Sequence, residues 1–455
     1  MMTGLFIKNG PIFMEKTKVK GASFSLKEKI MEICTVKNIM KWLLIFVSSI
    51  ATSQQPISNQ AYSPLLHTPQ AYPAGNPLGY PAIGLFSGEV IEFHFDLTEN
   101  IFETYNYGVI HCDHNWIPSD LHTNEYIQGF PTSQISEMEA SFGTMYNYVH
   151  YSFRYPDDMS TPRYSGNYAM VVFTGSEITA RENWLITYRF IVYENAVNVL
   201  PRVIPSSIIA QRYTSQEVDF DINHKDFRII DPGRDINVSI LQNFDWKQSK
   251  HGLKPIFIKP DVLTFDYNMG ENNFEGANEW RFFEAKDIRF NSSEVETITS
   301  EDDGYHVYLR PDLIEGKRAY STWQDLNGNF LIKNDLGGDP HVEADYVWVH
   351  FTLLMPKAEE AEVYIKGRFN EYNTEKSTCI YDETAGAYKC IMLLKQGYYN
   401  YRYVLRDRYY STDNVRFTEG SHAVTENIYH VIVYMNDRNL GCDRIIGVKA
   451  VPSVQ

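Results

Sequence analysis

Several short clusters in this chain hold side chains capable of chemistry. His111-Cys112-Asp113-His114, with His122 close behind, combines imidazole, thiol and carboxylate, the donor types of a transition-metal site. Neighbours along an extended strand point to opposite faces, so four in a row cannot converge on one ion. The cluster reads instead as a strand end running into Asn115-Trp116-Ile117-Pro118. Asp325-Leu326-Asn327-Gly328-Asn329 resembles a calcium loop in composition. The EF-hand register would place glycine where Phe330 stands, however, and no helical pattern flanks it. Asn327-Gly328, between Thr322-Trp323 and Phe330-Leu331-Ile332, signals a type I′ hairpin turn. No metal site and no cofactor are expected.

Asn223-His224-Lys225-Asp226-Phe227-Arg228 packs polar groups together between apolar strands, inside the stretch Asp219 to Trp246. Two readings follow. As a domain junction, Asn223, His224, Lys225, Asp226 and Arg228 would satisfy buried backbone groups between two sandwiches. As a partner surface, Lys225 and Arg228 would be charged anchors. The junction reading is preferred, because a polar cluster beside strands is usually a satisfied network. Cys379 and Cys390 flank Asp382-Glu383-Thr384-Ala385-Gly386, an expected hairpin turn, and could face each other across two strands. In an oxidising compartment they could bridge; two buried free thiols fit the sequence equally well. There is no nucleophile elbow, no phosphate-cradling glycine loop and no helix-borne histidine pair, so an enzyme is not expected.

The elements that must hold these groups are strands. The chain has 455 residues, 44% apolar and 22% charged, with 32 tyrosines and 26 phenylalanines. That composition is globular, and its aromatic excess suits half-buried pleated surfaces. Ile91, Phe93, Phe95 and Leu97 alternate with polar residues, and Tyr146–Tyr155, Tyr168–Phe173, Trp184–Tyr193, Ile236–Ile240, Tyr305–Leu309 and Tyr346–Leu353 behave likewise. Tyr399, Tyr401 and Tyr403 share one face of another strand. The expected fold is all-β: two or three consecutive antiparallel β-sandwich, immunoglobulin-like domains. An extended leader is expected at 54–79, then domains at 80–210, 211–342 and 343–455.

Residues 1–53 read as an upstream extension and a secretory signal peptide. Lys37 and Lys41 precede the apolar run Trp42 to Ile50, and Ala51 and Ser53 supply small residues for cleavage before Gln54. That run is shorter than the roughly 20 residues a spanning helix needs. Met31 or Met40 would each make a conventional start. The net charge is −16; the first 53 residues hold eight lysines and three glutamates, leaving 33 basic and 54 acidic residues, or −21, downstream. Such acidity argues against nucleic acid or an anionic membrane surface as partner. An exported, soluble protein without direct membrane insertion is expected.

Two resemblances add to this reading. Glu362 to Asn370, followed by Gly397 to Val404, resembles early-set immunoglobulin-like modules that include glycogen-binding domains. Tyr372 stands where those modules carry a tryptophan. The wider resemblance rests on His111-Cys112-Asp113 with Trp116 to Leu121, Glu125 to Phe130, Ser165 to Tyr168, Asn223 to Ile229, Gly276 to Phe283, Ala344 to Phe351 and Leu393 to Tyr401. In order and spacing these stretches resemble the plug protein of the type IX secretion system of the Bacteroidota. The resemblance implies a non-enzymatic periplasmic protein at the inner face of the outer membrane. It would bind the outer-membrane type IX translocon barrel, close its periplasmic opening and be monomeric outside that complex. The alternative is an exported glycan-binding sandwich acting through Tyr399 and Tyr401.

Overall fold

The alternating segments form antiparallel sheets, and their strands are short because glycine, proline, asparagine and aspartate interrupt them. The computed structural model describes residues 55–98, 102–372, 374–409 and 413–453. The signal-peptide segment lies outside the described residues. From Pro56 onward the chain forms one unit. No described helix is long and apolar enough to cross a membrane.

The first sandwich packs two sheets. One runs Leu66–Pro73, Ile91–Leu97, Val149–Tyr155, Glu137–Ala140. The other runs Gln60–Ala61, Trp184–Tyr193, Gly166–Phe173, Asn106–Cys112, Thr132–Gln134, with Ala82–Gly84 parallel to Trp184–Tyr193. Ile91, Phe93 and Phe95 point inward, as their alternation requires, onto Met170, Val172, Tyr188 and Phe190. The expected leader is extended but not free. Leu66–Pro73 pairs with Ile91–Leu97 because Leu66, Ala71 and Tyr72 bury their side chains there.

The second sandwich is discontinuous in sequence. One sheet holds Asn198–Pro205, Ser215–Asn223, Val262–Phe265 and Phe257–Ile258, with Asn273–Glu275 beside Ser215–Asn223. The facing sheet runs Lys250–Leu253, Ile236–Gln242, Ile428–Asp437, Cys442–Pro452. Val218, Phe220 and Ile222 meet Ile236, Val238, Val431 and Val433 between them. The third body, Arg281–Asn414, is inserted between these halves as one 11-stranded sheet around Phe283, Phe351, Val363, Tyr399 and Tyr403. The strand pairing therefore departs from boundaries at 210/211 and 342/343. Alternation marks strands but carries no information about which distant strand completes a sheet.

Sheets also stack on their outer faces. Ala169, Val171, Phe173 and Ile191 of the first sandwich pack against Leu241, Ile432, Tyr434 and Ile445 of the second, with Trp116 edge-on to Trp246 at 4.8 Å. Four sheets thus lie in layers with three apolar seams. Gly166–Phe173, in an inner layer, is buried at all eight positions, hence its nearly unbroken apolar sequence.

Candidate functional site

The most unusual chemistry lies where the first sandwich meets the inserted third body. On Ile91–Leu97, His94 and Asp96 occupy the face opposite the core, and His150 sits across from Asp96 on Val149–Tyr155. Alternation alone would give that face to water. Instead it is covered by the short helix Pro340–Glu343, capped by the Asp339 side chain, and by Lys395 at the end of Ala387–Lys395.

Asp96 is the hub. Its carboxylate accepts from Lys395 Nζ at 2.7 Å, from Tyr346 Oη at 2.6 Å and from His150 Nδ1 at 2.6 Å. Lys395 also donates to the His341 carbonyl at 2.6 Å and lies 4.1 Å from the Tyr148 ring centroid, while Tyr148 Oη donates to Ala344 O. The Asp96 and Lys395 side chains are each 1% exposed. Burial alone would raise the Asp96 carboxyl, but Lys395 and His150 outweigh it and hold the group below the ordinary carboxylate range. Burial depresses the Lys395 ammonium while Asp96 opposes that drop. The direction that follows from the geometry is an ionised Asp96 paired with a charged lysine.

His94, His150 and His341 form a contiguous group. His94 Nδ1 and His150 Nε2 are 3.2 Å apart, and the His94 and His341 rings stack at 4.6 Å. Burial, then the neighbouring rings, lowers His94 to about 2 and His341 to about 4, so both are neutral at pH 7. His94 Nε2 is buried without a hydrogen-bond partner among the described residues.

The clusters singled out in the sequence meet different fates. His224 is buried: its N–H donates to Asp261 O, and its ring faces Phe227 O. The Asn223 carboxamide accepts from Lys225 N. Lys225, Asp226 and Arg228 are exposed, and their side chains form no hydrogen bond or ion pair with described residues. The stretch connects Ser215–Asn223 to Ile236–Gln242, the two sheets of the second sandwich. It is a crossing within one sandwich rather than a junction between two.

His111 turns to Ser119 and Tyr168, whereas Cys112 points into the opposite seam. They do not converge. Asp113 holds its turn through Asn115 and Ile117, and His114 reaches Asp443 of the second sandwich at 2.7 Å. The 325–329 turn has positive φ at Asn327 and Gly328, as type I′ geometry requires. Its expected hairpin does not form: Phe330–Ile332 pairs with Gly397–Tyr399, and Asp325 instead accepts from Trp280 N. Cys379 lies opposite Cys390, one pair beyond Ile380↔Lys389, and both are buried free thiols. A shared hydrogen bond with Cys390, then burial, pushes the Cys379 thiol well up. Tyr399 and Tyr401, 1% and 3% exposed, lie in the core and offer no stacking platform for a sugar.

Sequence reading passed over Asp96, His94, His150, His341 and Lys395. The available signal was a charged residue closing the apolar run Ile391-Met392-Leu393-Leu394, and two polar residues on one face of IEFHFDL.

The whole is an all-β protein whose layered sheets carry a wired polar seam against an inserted third body. Residues 66–194 match the family described as "Type 9 secretion system plug protein 1st domain". A crystal structure of a hypothetical protein from Parabacteroides merdae is 32% identical, with a TM-score of 0.82 over 88% of this chain and 100% of that one. No curated protein matches. The chain belongs to the type 9 secretion system plug protein family, and its role is at that secretion system in the cell envelope.

Proposed function

We propose that this chain is a non-enzymatic periplasmic plug or accessory subunit that binds the outer-membrane translocon barrel of the type 9 secretion system and closes its periplasmic opening. The observation that carries this reading is the match of the first sandwich, residues 66–194, to the plug family. The layered body supports it, since a stopper must keep its shape against a large partner. The exposed Lys225, Asp226 and Arg228, unpaired among the described residues, are the proposed partner contacts, on a turn that the buried His224 holds in place. The test is twofold. Affinity capture of the tagged protein from envelope extracts should recover the barrel; recovery of soluble proteins alone would refute binding. A deletion strain should leak through the outer membrane in a manner that requires the barrel, and unchanged permeability would refute closure.

A further inference from the structure

We propose that His94, His150 and His341 form a zinc-type metal site that clasps the first sandwich to the inserted third body. One ring nitrogen from each histidine lies within 4.8 Å of the other two. Zinc–imidazole bonds of about 2.0–2.1 Å in a tetrahedron put donor nitrogens about 3.3 Å apart, close to the observed 3.2 Å between His94 Nδ1 and His150 Nε2. The His341 ring, stacked parallel on His94 at 4.6 Å, completes the set by turning its edge toward the other two nitrogens. It can do so because it sits, half-buried, on the four-residue helix Pro340–Glu343.

The surroundings fit a ligand set better than a plain polar core. The Asp96 carboxylate accepts a hydrogen bond from His150 Nδ1–H, which fixes the tautomer and turns the Nε2 lone pair toward His94. A carboxylate behind a ligating imidazole is the usual outer-shell support of a zinc ligand. The His341 ring has no hydrogen bond to a described residue, and His94 Nε2 is buried without a partner among those residues. His94 Nε2 lies across the ring from the Nδ1 that faces His150, so it is the half-buried His341 ring that brings an unused donor to the cluster. Lys395 is paired with Asp96, so the ion would join a pocket of no net charge. Three imidazoles suit zinc, cobalt, nickel and copper rather than calcium or magnesium, and leave a fourth position for water. The donors come from both bodies, His94 and His150 from one and His341 from the other. A bound ion would therefore tie them together.

The test uses the full chain, freed of metal by chelator and titrated with Co²⁺ alone. One equivalent should give the intense visible bands of four-coordinate cobalt, and Zn²⁺ should displace them. His341→Asn changes only the half-exposed ligand, so it should fold with an unchanged melting temperature in chelator while losing affinity by about tenfold or more. His94→Gln should lose the bands as well, and His306→Asn, outside the cluster, should keep them. Absence of saturable cobalt bands in the parent protein would overturn the proposal. So would bands that persist in both His341→Asn and His94→Gln.

Discussion

Replacing Lys395 by Met removes the ammonium that pairs with Asp96 and leaves a carboxylate in a buried seam. The pair is separated by 2.7 Å and both side chains are 1% exposed. At an effective dielectric of 20 the attraction across that distance is about 6 kcal/mol, but most of it offsets the desolvation of the two ions. What the single variant measures is the cost of an uncompensated buried charge, about 3–5 kcal/mol. Tyr346 and His150 still donate to Asp96, which places the expectation near the lower end. Asp96→Asn strands the lysine instead and should cost a similar amount. The double variant Asp96→Asn/Lys395→Met has no buried ion and should be more stable than either single one, giving a coupling of about 3 kcal/mol. Denaturant unfolding by circular dichroism at pH 7 gives all three values, and proteolysis of the 335–345 segment reports whether the seam opens first. Two near-neutral single variants, or a double variant equal to their sum, would refute the view of Asp96 as a charged hub.

Acid should weaken the metal-free protein earlier than carboxylate titration alone would. His94 and His341 have folded values of about 2 and about 4, below the unfolded 6.5, so the unfolded chain takes up protons first. Stability is then full above about pH 6.5 and falls by about 2 kcal/mol per ring between pH 7 and 5. Asp96, with its folded value depressed, keeps its contribution over that range. A denaturation midpoint that stays flat from pH 7 to 5 would contradict this, and His341→Asn should reduce the slope. Lys225→Ala and Asp226→Ala should change stability by no more than about 0.5 kcal/mol, because both side chains are exposed, while barrel capture weakens. Melting curves and pulldowns on the same preparations separate the two effects. Gly276→Ala should cost at least about 1–3 kcal/mol, since its Cβ would lie 1.9 Å from the His422 carbonyl oxygen, a backbone atom with little room to yield. Thermal unfolding checks it.

Strand identity was legible in this sequence and strand partnership was not. Ile91-Glu92-Phe93-His94-Phe95-Asp96-Leu97 shows which face enters the core, because period-two alternation follows from backbone geometry. It cannot show that His94 and Asp96 are buried as well, since a face turned to another domain carries the same polar letters as one turned to water. The same blindness explains Phe330–Ile332, whose turn was recognisable while its partner, Gly397–Tyr399, lies too far along the chain for local chemistry to specify. Asn223 to Arg228 was conspicuous by composition, but composition does not distinguish a crossing inside one sandwich from a hinge between two. Lys395 sits inside a stretch that carried the family resemblance.

The interrupted second sandwich has a consequence for the order of folding. Ile428–Asp437 lies in the interior of its sheet, between Ile236–Gln242 and Cys442–Pro452. Until that late segment is available, Ile236–Gln242 has an open edge and the seam to the first sandwich lacks Ile432, Tyr434 and Ile445. Closing so long a loop is entropically costly while it is unstructured. Prior folding of Arg281–Asn414 would bring its two ends into place and shorten the search. The inserted body would then act as an internal template, and the first and second sandwiches would become one solid only when the last strands dock. Pulse-labelling hydrogen exchange should find amides of Ala387–Lys395 protected before those of Ile236–Gln242, and the reverse order would exclude this route.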